Sequence, residues 1–147
     1  MAAGAWAVYN EAKKYIGNAT LNLSTAKRIT LHTSASNANT ATLSIYSELT
    51  SEVTSGNGYS SSGKALATIA WTVGASAGQY KFDADDVVWT GTGGTIANIK
   101  FAVISNTSGG ASGKLLCRSQ LTSSQFTLSS GNTLTLQMNS AGILTLA

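Results

Sequence analysis

Apolar positions recur at the helical period only once in this chain. Between Ala5 and Ile16, the residues Val8, Tyr9, Ala12, Tyr15 and Ile16 fall at i, i+1, i+4, i+7 and i+8 and make one apolar face. Asn10, Glu11, Lys13 and Lys14 take the other face, and Gly17 follows, where a helix stops with a left-handed residue. The spacing predicts a helix over residues 5–16. So short a helix must dock on something to be stable, and Trp6 at its start is the expected anchor or a contact between subunits.

Past Gly17 the period changes to two. Short runs rich in Thr, Val, Ile and Leu alternate with Ser, Asn and Gly clusters. Ala65, Ala67, Ile69, Trp71 and Val73 alternate with Leu66, Thr68, Ala70 and Thr72, and the first set is expected to face a core. Tyr80 and Phe82 flank Lys81. Residues 99–104 are apolar on both faces, which predicts a central strand. Residues 115–121, 133–138 and 143–146 alternate in the same way. Ser55-Gly56-Asn57-Gly58, Gly91-Thr92-Gly93-Gly94, Ser108-Gly109-Gly110 and Ser130-Gly131-Asn132 supply turn chemistry between them. No βαβ alternation occurs. The pattern predicts one all-β domain over residues 1–147: an antiparallel β-sandwich, jelly-roll-like, with one short N-terminal α-helix.

Composition narrows the function classes. Only 10% of the 147 residues are charged, against about 25% in ordinary domains, and Ser and Thr fill the gap. One Cys cannot form an internal disulfide. No apolar run is long enough for a membrane-spanning helix, and residues 1–8 lack the charged start and apolar core of a secretory signal. A single thiol fits a reducing cytoplasm. The net charge of +3 rests on 9 basic and 6 acidic residues. Lys13–Lys14 and Lys27–Arg28 are the only close basic pairs, too thin a footprint for a nucleic-acid partner. No Pro occurs. Edge strands often use Pro or charge against unwanted pairing, so the edges here are expected to be covered by a partner.

Candidate chemistry is sparse. His32, the only histidine, lies in a strand pattern with no evident third partner and is read as a strand-surface residue. Asp83, Asp85 and Asp86 lack calcium-loop spacing and are read as closing a turn. Glu48 and Glu52 lie in a polar loop with nothing to make them an acid–base pair. Gly91–Gly94 is not followed by the Lys-Ser/Thr and helix of a phosphate loop. Gly74-Ala75-Ser76-Ala77-Gly78 has the letters of a nucleophile elbow, but a strand pattern follows it instead of a helix. Cys117 is expected to be a buried apolar side chain. No catalytic, cofactor or metal residue is assigned. Trp71 and Trp89 read as core. Tyr59, beside Gly58, is the one loop aromatic and the expected exposed contact.

Several strings, in order, resemble a family of small tailed-bacteriophage virion structural proteins, decoration- or cement-like and sometimes labelled tail or fibre proteins. Tyr9-Asn10-Glu11-Ala12-Lys13-Lys14 matches the family's start. Residues 27–34 (KRITLHTS) are similar to its "KVALLTS". Ser51-Glu52-Val53, Gly58-Tyr59 and Gly63-Lys64-Ala65-Leu66 follow its "NEVSGTGYTAGGKAL". Residues 82–89 (FDADDVVW) are similar to its "FDADDVTW", residues 101–104 to its "RYAVLY", and residues 142–146 to its "GILTL". Lys100-Phe101 stands in place of the family's Arg before "YAV", and Ile104-Ser105-Asn106-Thr107 in place of "LYND". The resemblance covers nearly the whole chain and carries no catalytic residues.

The resemblance implies a non-enzymatic virion protein, assembled in the host bacterial cytoplasm. It would bind the outside of the shell of major capsid protein as a homotrimer. A tail-associated or receptor-binding module is the alternative. Few charges limit repulsion between crowded copies, and Ser, Thr and Asn bond at wet interfaces without the desolvation cost of ions. The expected contact surface comprises the helix with Trp6, Tyr9, Lys13 and Lys14, the segment from Asn18 to Ser34 with Arg28, and Tyr59. A small hydrolase would require His32, Cys117 and an acid to converge.

Overall fold

A computed structural model describes residues 4–107 and 110–147. Among these residues eleven strands are all paired antiparallel: β1 (Ala7–Val8), β2 (Lys27–Thr33), β3 (Lys64–Ala65), β4 (Ala70–Val73), β5 (Tyr80–Asp83), β6 (Val87–Thr90), β7 (Ile96–Asn106), β8 (Leu115–Gln120), β9 (Phe126–Leu128), β10 (Thr133–Leu136) and β11 (Leu144–Leu146). The one α-helix among the described residues, α1 (Asn10–Gly17), precedes β2. This is the all-β antiparallel sandwich with a short N-terminal helix that the alternation predicts. A six-stranded sheet runs β1-β8-β7-β2-β3, with β9 also on β7; β10-β6 and β11-β5-β4 form two smaller sheets. One hydrophobic cluster joins Ile29, Leu31 and Ile104 of the large sheet to Phe82, Trp89 and Leu136 of the small ones.

β7 is central, as its two apolar faces predict: it carries β2 on one side and β8 on the other, and Phe101 to Asn106 are all buried. Ile104 is fully buried there. Its truncation in Ile104→Val is expected to cost about 0.5–1.5 kcal/mol, read by urea unfolding.

Three local expectations are corrected. The helix begins at Asn10, not Ala5, because Ala7 and Val8 pair with Arg118 and Cys117 along the outer edge of β8. Unpaired edge groups there need partners, and β-branched Val8 suits a strand better than a helix. The helix ends through Ala19 (φ 60), with Gly17 as its last residue. The run from Ala65 to Val73 is broken: Thr68 sits at φ 49 between β3 and β4. Leu66 is therefore the buried residue and Ala65 and Ala67 are exposed. The glycine-rich breaks are turns, with positive φ at Gly56, Asn57, Gly93 and Gly131. Ser108 and Gly109 lie outside the described residues.

Candidate functional site

β2 places Arg28, Thr30 and His32 on one face and Ile29 and Leu31 on the other. Directly opposed residues of antiparallel strands share a face. Arg28, Thr30 and His32 therefore lie with Ser105, Val103 and Phe101 of β7, while Ile29 and Leu31 lie with Ile104, Ala102 and, one strand on, Cys117 and Ser119. His32 and Cys117 are thus on opposite faces of the sheet. The convergence of imidazole, thiol and acid that a cysteine hydrolase requires is not formed. Burial pushes the Cys117 thiol pKa well up, away from a nucleophilic thiolate.

The polar face of β2 is covered from the segment between Ser34 and Val53, whose Tyr46 ring lies against Arg28 and whose Ser36 and Thr50 reach His32. Residue 52 bridges to His32, and the Thr33 and Val53 amides bond to Ser51 and Leu31 carbonyls. Glu52 is the hub of what results. Its carboxylate accepts the hydroxyl of Tyr46, the hydroxyl of Tyr59 at 2.7 Å and the amide of Ser62 at 2.8 Å. The Arg28 guanidinium lies 3.9 Å from the centre of the Tyr46 ring. It donates to Ser105 Oγ at 3.2 Å and to the Gly110 carbonyl at 3.0 Å. Arg28, His32, Tyr46, Glu52 and Ser62 line an open cleft of about 360 Å³. Burial, and next the bond to Glu52, pushes the Tyr46 phenol up to about 12, and the Tyr59 phenol rises for the same reasons.

His32 is buried, which corrects its reading as a surface residue. Nδ1 lies 3.2 Å from the Thr50 carbonyl, which can only accept, so Nδ1 carries the proton and Nε2 accepts from Thr30 Oγ1 at 2.9 Å. Burial lowers the His32 pKa, and the Thr50 carbonyl and Glu52 oppose that shift only in part. The unfolded chain therefore binds this proton first as pH falls. The His32 contribution to stability is intact above the unfolded value of about 6.5 and is lost below it, at up to about 1.4 kcal/mol per pH unit. NMR titration of the single imidazole is expected to give a midpoint below that value; one at or above it would refute the assignment.

The other residues of the expected contact surface are scattered. Tyr9 is buried: its hydroxyl donates to the Ala38 carbonyl at 2.7 Å and its ring lies under Arg118 at 4.9 Å. Tyr59, expected to be exposed, is 2% exposed. Reciprocal backbone bonds with Gly56 fold its loop inward, and its hydroxyl accepts the Leu31 amide at 3.0 Å. Arg28 is buried as well, and so is the Lys27–His32 stretch of the segment expected to meet a partner. Trp6 lies off the helix, half-buried in a cleft of about 670 Å³ against residues 137–143. Lys13 and Lys14 are exposed, and Lys14 pairs with Glu11 at 3.4 Å. The cluster on Glu52 was not anticipated; only the polar alternation Arg28-Thr30-His32 signalled it.

Of the three aspartates read as closing a turn, only Asp83 does so, accepting the Ala84 amide at 3.0 Å; Asp85 and Asp86 instead tie the connection to distant parts of the chain. Asp83 pairs with Lys81 at 2.8 Å, Asp85 accepts from Thr68 Oγ1 at 2.6 Å, and Asp86 accepts the Met138 amide at 2.8 Å. Gly74 to Gly78 form the hairpin between β4 and β5, closed by the Gly74 amide on the Gln79 carbonyl at 2.7 Å. Among the described residues no group of three metal-ligating side chains gathers, and no helix is long and apolar enough to cross a membrane.

The most prominent apolar exposure lies elsewhere. Val73, Tyr80 and Leu146 are 62%, 47% and 48% exposed, and they stand in one row across β4, β5 and β11. Trp71 stacks on Tyr80 with ring centres 6.1 Å apart. Comparison with protein-family models, with curated proteins and with solved structures finds no match to this chain.

Proposed function

We infer that this chain is a non-enzymatic structural protein of a tailed-phage virion, a homotrimer decorating the outside of the shell of major capsid protein. The ordered resemblance of its strings to that family is the ground for the class. The observation that carries the reading is a contrast in how side chains are used. His32, Glu52, Arg28 and the three aspartates of residues 83–86 are bound into the fold, whereas an apolar row on a small sheet is left facing outward. Such rows suit protein–protein contact. The test is quantitative mass spectrometry of purified particles of the phage that encodes the chain. Hundreds of copies per particle are expected; absence from the particle would overturn the reading.

A tail-associated or receptor-binding role is the second reading, favoured by the Trp71–Tyr80 stack, since exposed aromatic faces can pack on sugars. About three to a dozen copies per particle would select it, because a tail or portal vertex offers only that many places.

A further inference from the structure

The sheet β11-β5-β4 outruns the core it belongs to. One of its faces carries two registered rows, Trp71–Phe82–Leu144 and Val73–Tyr80–Leu146. The first row is anchored: Phe82 is fully buried and Trp71 and Leu144 pack partly against the core. The second row projects beyond it and is about half exposed. The other face carries Thr72, Lys81 and Thr145, with Lys81 neutralised by Asp83. Among the described residues no strand or backbone bond occupies the outer edge of β4 or of β11.

We propose that β4 of one copy pairs with β11 of a second copy, head to tail, so that this sheet continues from copy to copy and closes into a ring. Four features select a second copy as the occupant. The edges match in alternation: Trp71 and Val73 share the apolar face with Leu144 and Leu146, and Thr72 shares the opposite face with Thr145. Placed side by side they extend both faces without a mismatch.

The edges also match in charge. Neither β4 nor β11 bears a charged side chain, and the chain has no Pro. These are the usual guards against edge pairing, and a charged partner would find no counter-ion on either strand.

Area supports pairing over simple face contact. The three exposed side chains offer on the order of 300 Å², against about 800 Å² per partner in a stable interface. Strand addition supplies main-chain bonds as well, and a ring gives each copy two junctions.

Closure decides the arrangement. A symmetric β4–β4 junction would leave both β11 edges open to further growth, whereas a head-to-tail ring uses every edge. This inference rests on the oligomeric part of the reading above and not on the shell.

The test uses the full chain in light scattering at tens of micromolar. The unchanged protein is expected as one oligomer of defined size. Val73→Lys on β4 and Leu146→Lys on β11 are each expected to weaken association about tenfold or more; both positions are exposed, and thermal melting checks that the fold is kept. Mixing Thr72→Cys with Thr145→Cys protein is expected to give disulfides between unlike variants, since a disulfide needs Cα atoms within about 7 Å; Cys117 is buried and stays silent. A monomeric unchanged protein, assembly indifferent to both lysines, or disulfides only between like variants would each overturn the pairing. The particle census is a separate readout: a monomer abundant on particles defeats this pairing alone, and an oligomer absent from particles defeats only the virion reading.

Discussion

Replacing Glu52 by alanine is expected to lower the unfolding free energy by about 1–3 kcal/mol, the cost of leaving the buried Tyr59 hydroxyl without its acceptor. The carboxylate holds the hydroxyls of Tyr46 and Tyr59 and the amide of Ser62. Tyr59 is buried, so its hydroxyl cannot turn to water when the acceptor is removed. The same hydroxyl accepts the Leu31 amide, so the disturbance reaches the edge of β2. Glu52→Gln keeps one carbonyl acceptor at nearly the same volume and is expected to lose less than half as much. Urea unfolding of both variants measures the difference. Equal, small losses would mean that the cluster is solvated and not a structural hub.

The second large effect is expected at Gly63. Its φ is +69, and an added Cβ would lie 1.9 Å from the Ile29 carbonyl oxygen, a backbone atom of β2. β2 is held by β7 on its other side and cannot retreat. The turn carrying Ser62 must move instead, taking the Ser62 amide away from Glu52 and Lys64 out of register with Ile29. Gly63→Ala is expected to cost about 3 kcal/mol or more. Gly78 is the control: its φ is +80, but no atom lies within 4 Å of an added Cβ. Gly78→Ala carries only the left-handed penalty of about 1–2 kcal/mol. Thermal melting of the two variants separates steric collision from backbone preference, and equal shifts would show that the approach to β2 does not matter.

The central strand was legible because Phe101 to Ile104 are apolar on both faces, and only a strand with neighbours on both sides and cover above and below can hide them. The connection at residues 84–86 was legible from its place between two strand patterns, but the bonds of Asp85 to Thr68 and of Asp86 to Met138 were not. Tyr59 was not: a tyrosine after Gly58 looks exposed until the 56–59 turn and Glu52 draw it inward. Arg28 and His32 misled for a related reason. Alternation separates two faces of a strand but does not say whether the polar face meets water or another segment of chain.

Period and composition by themselves determined an antiparallel β body with one helix, few charges and unguarded edges, because side-chain period and residue chemistry are local properties. Which polar residues are buried, and which apolar row is left outside, was decided by the tertiary structure alone. The 34–53 segment folds over Arg28, Thr30 and His32, while the β4-β5-β11 sheet extends past its own core. Both outcomes depend on contacts between residues far apart in the chain, and no local pattern encodes them.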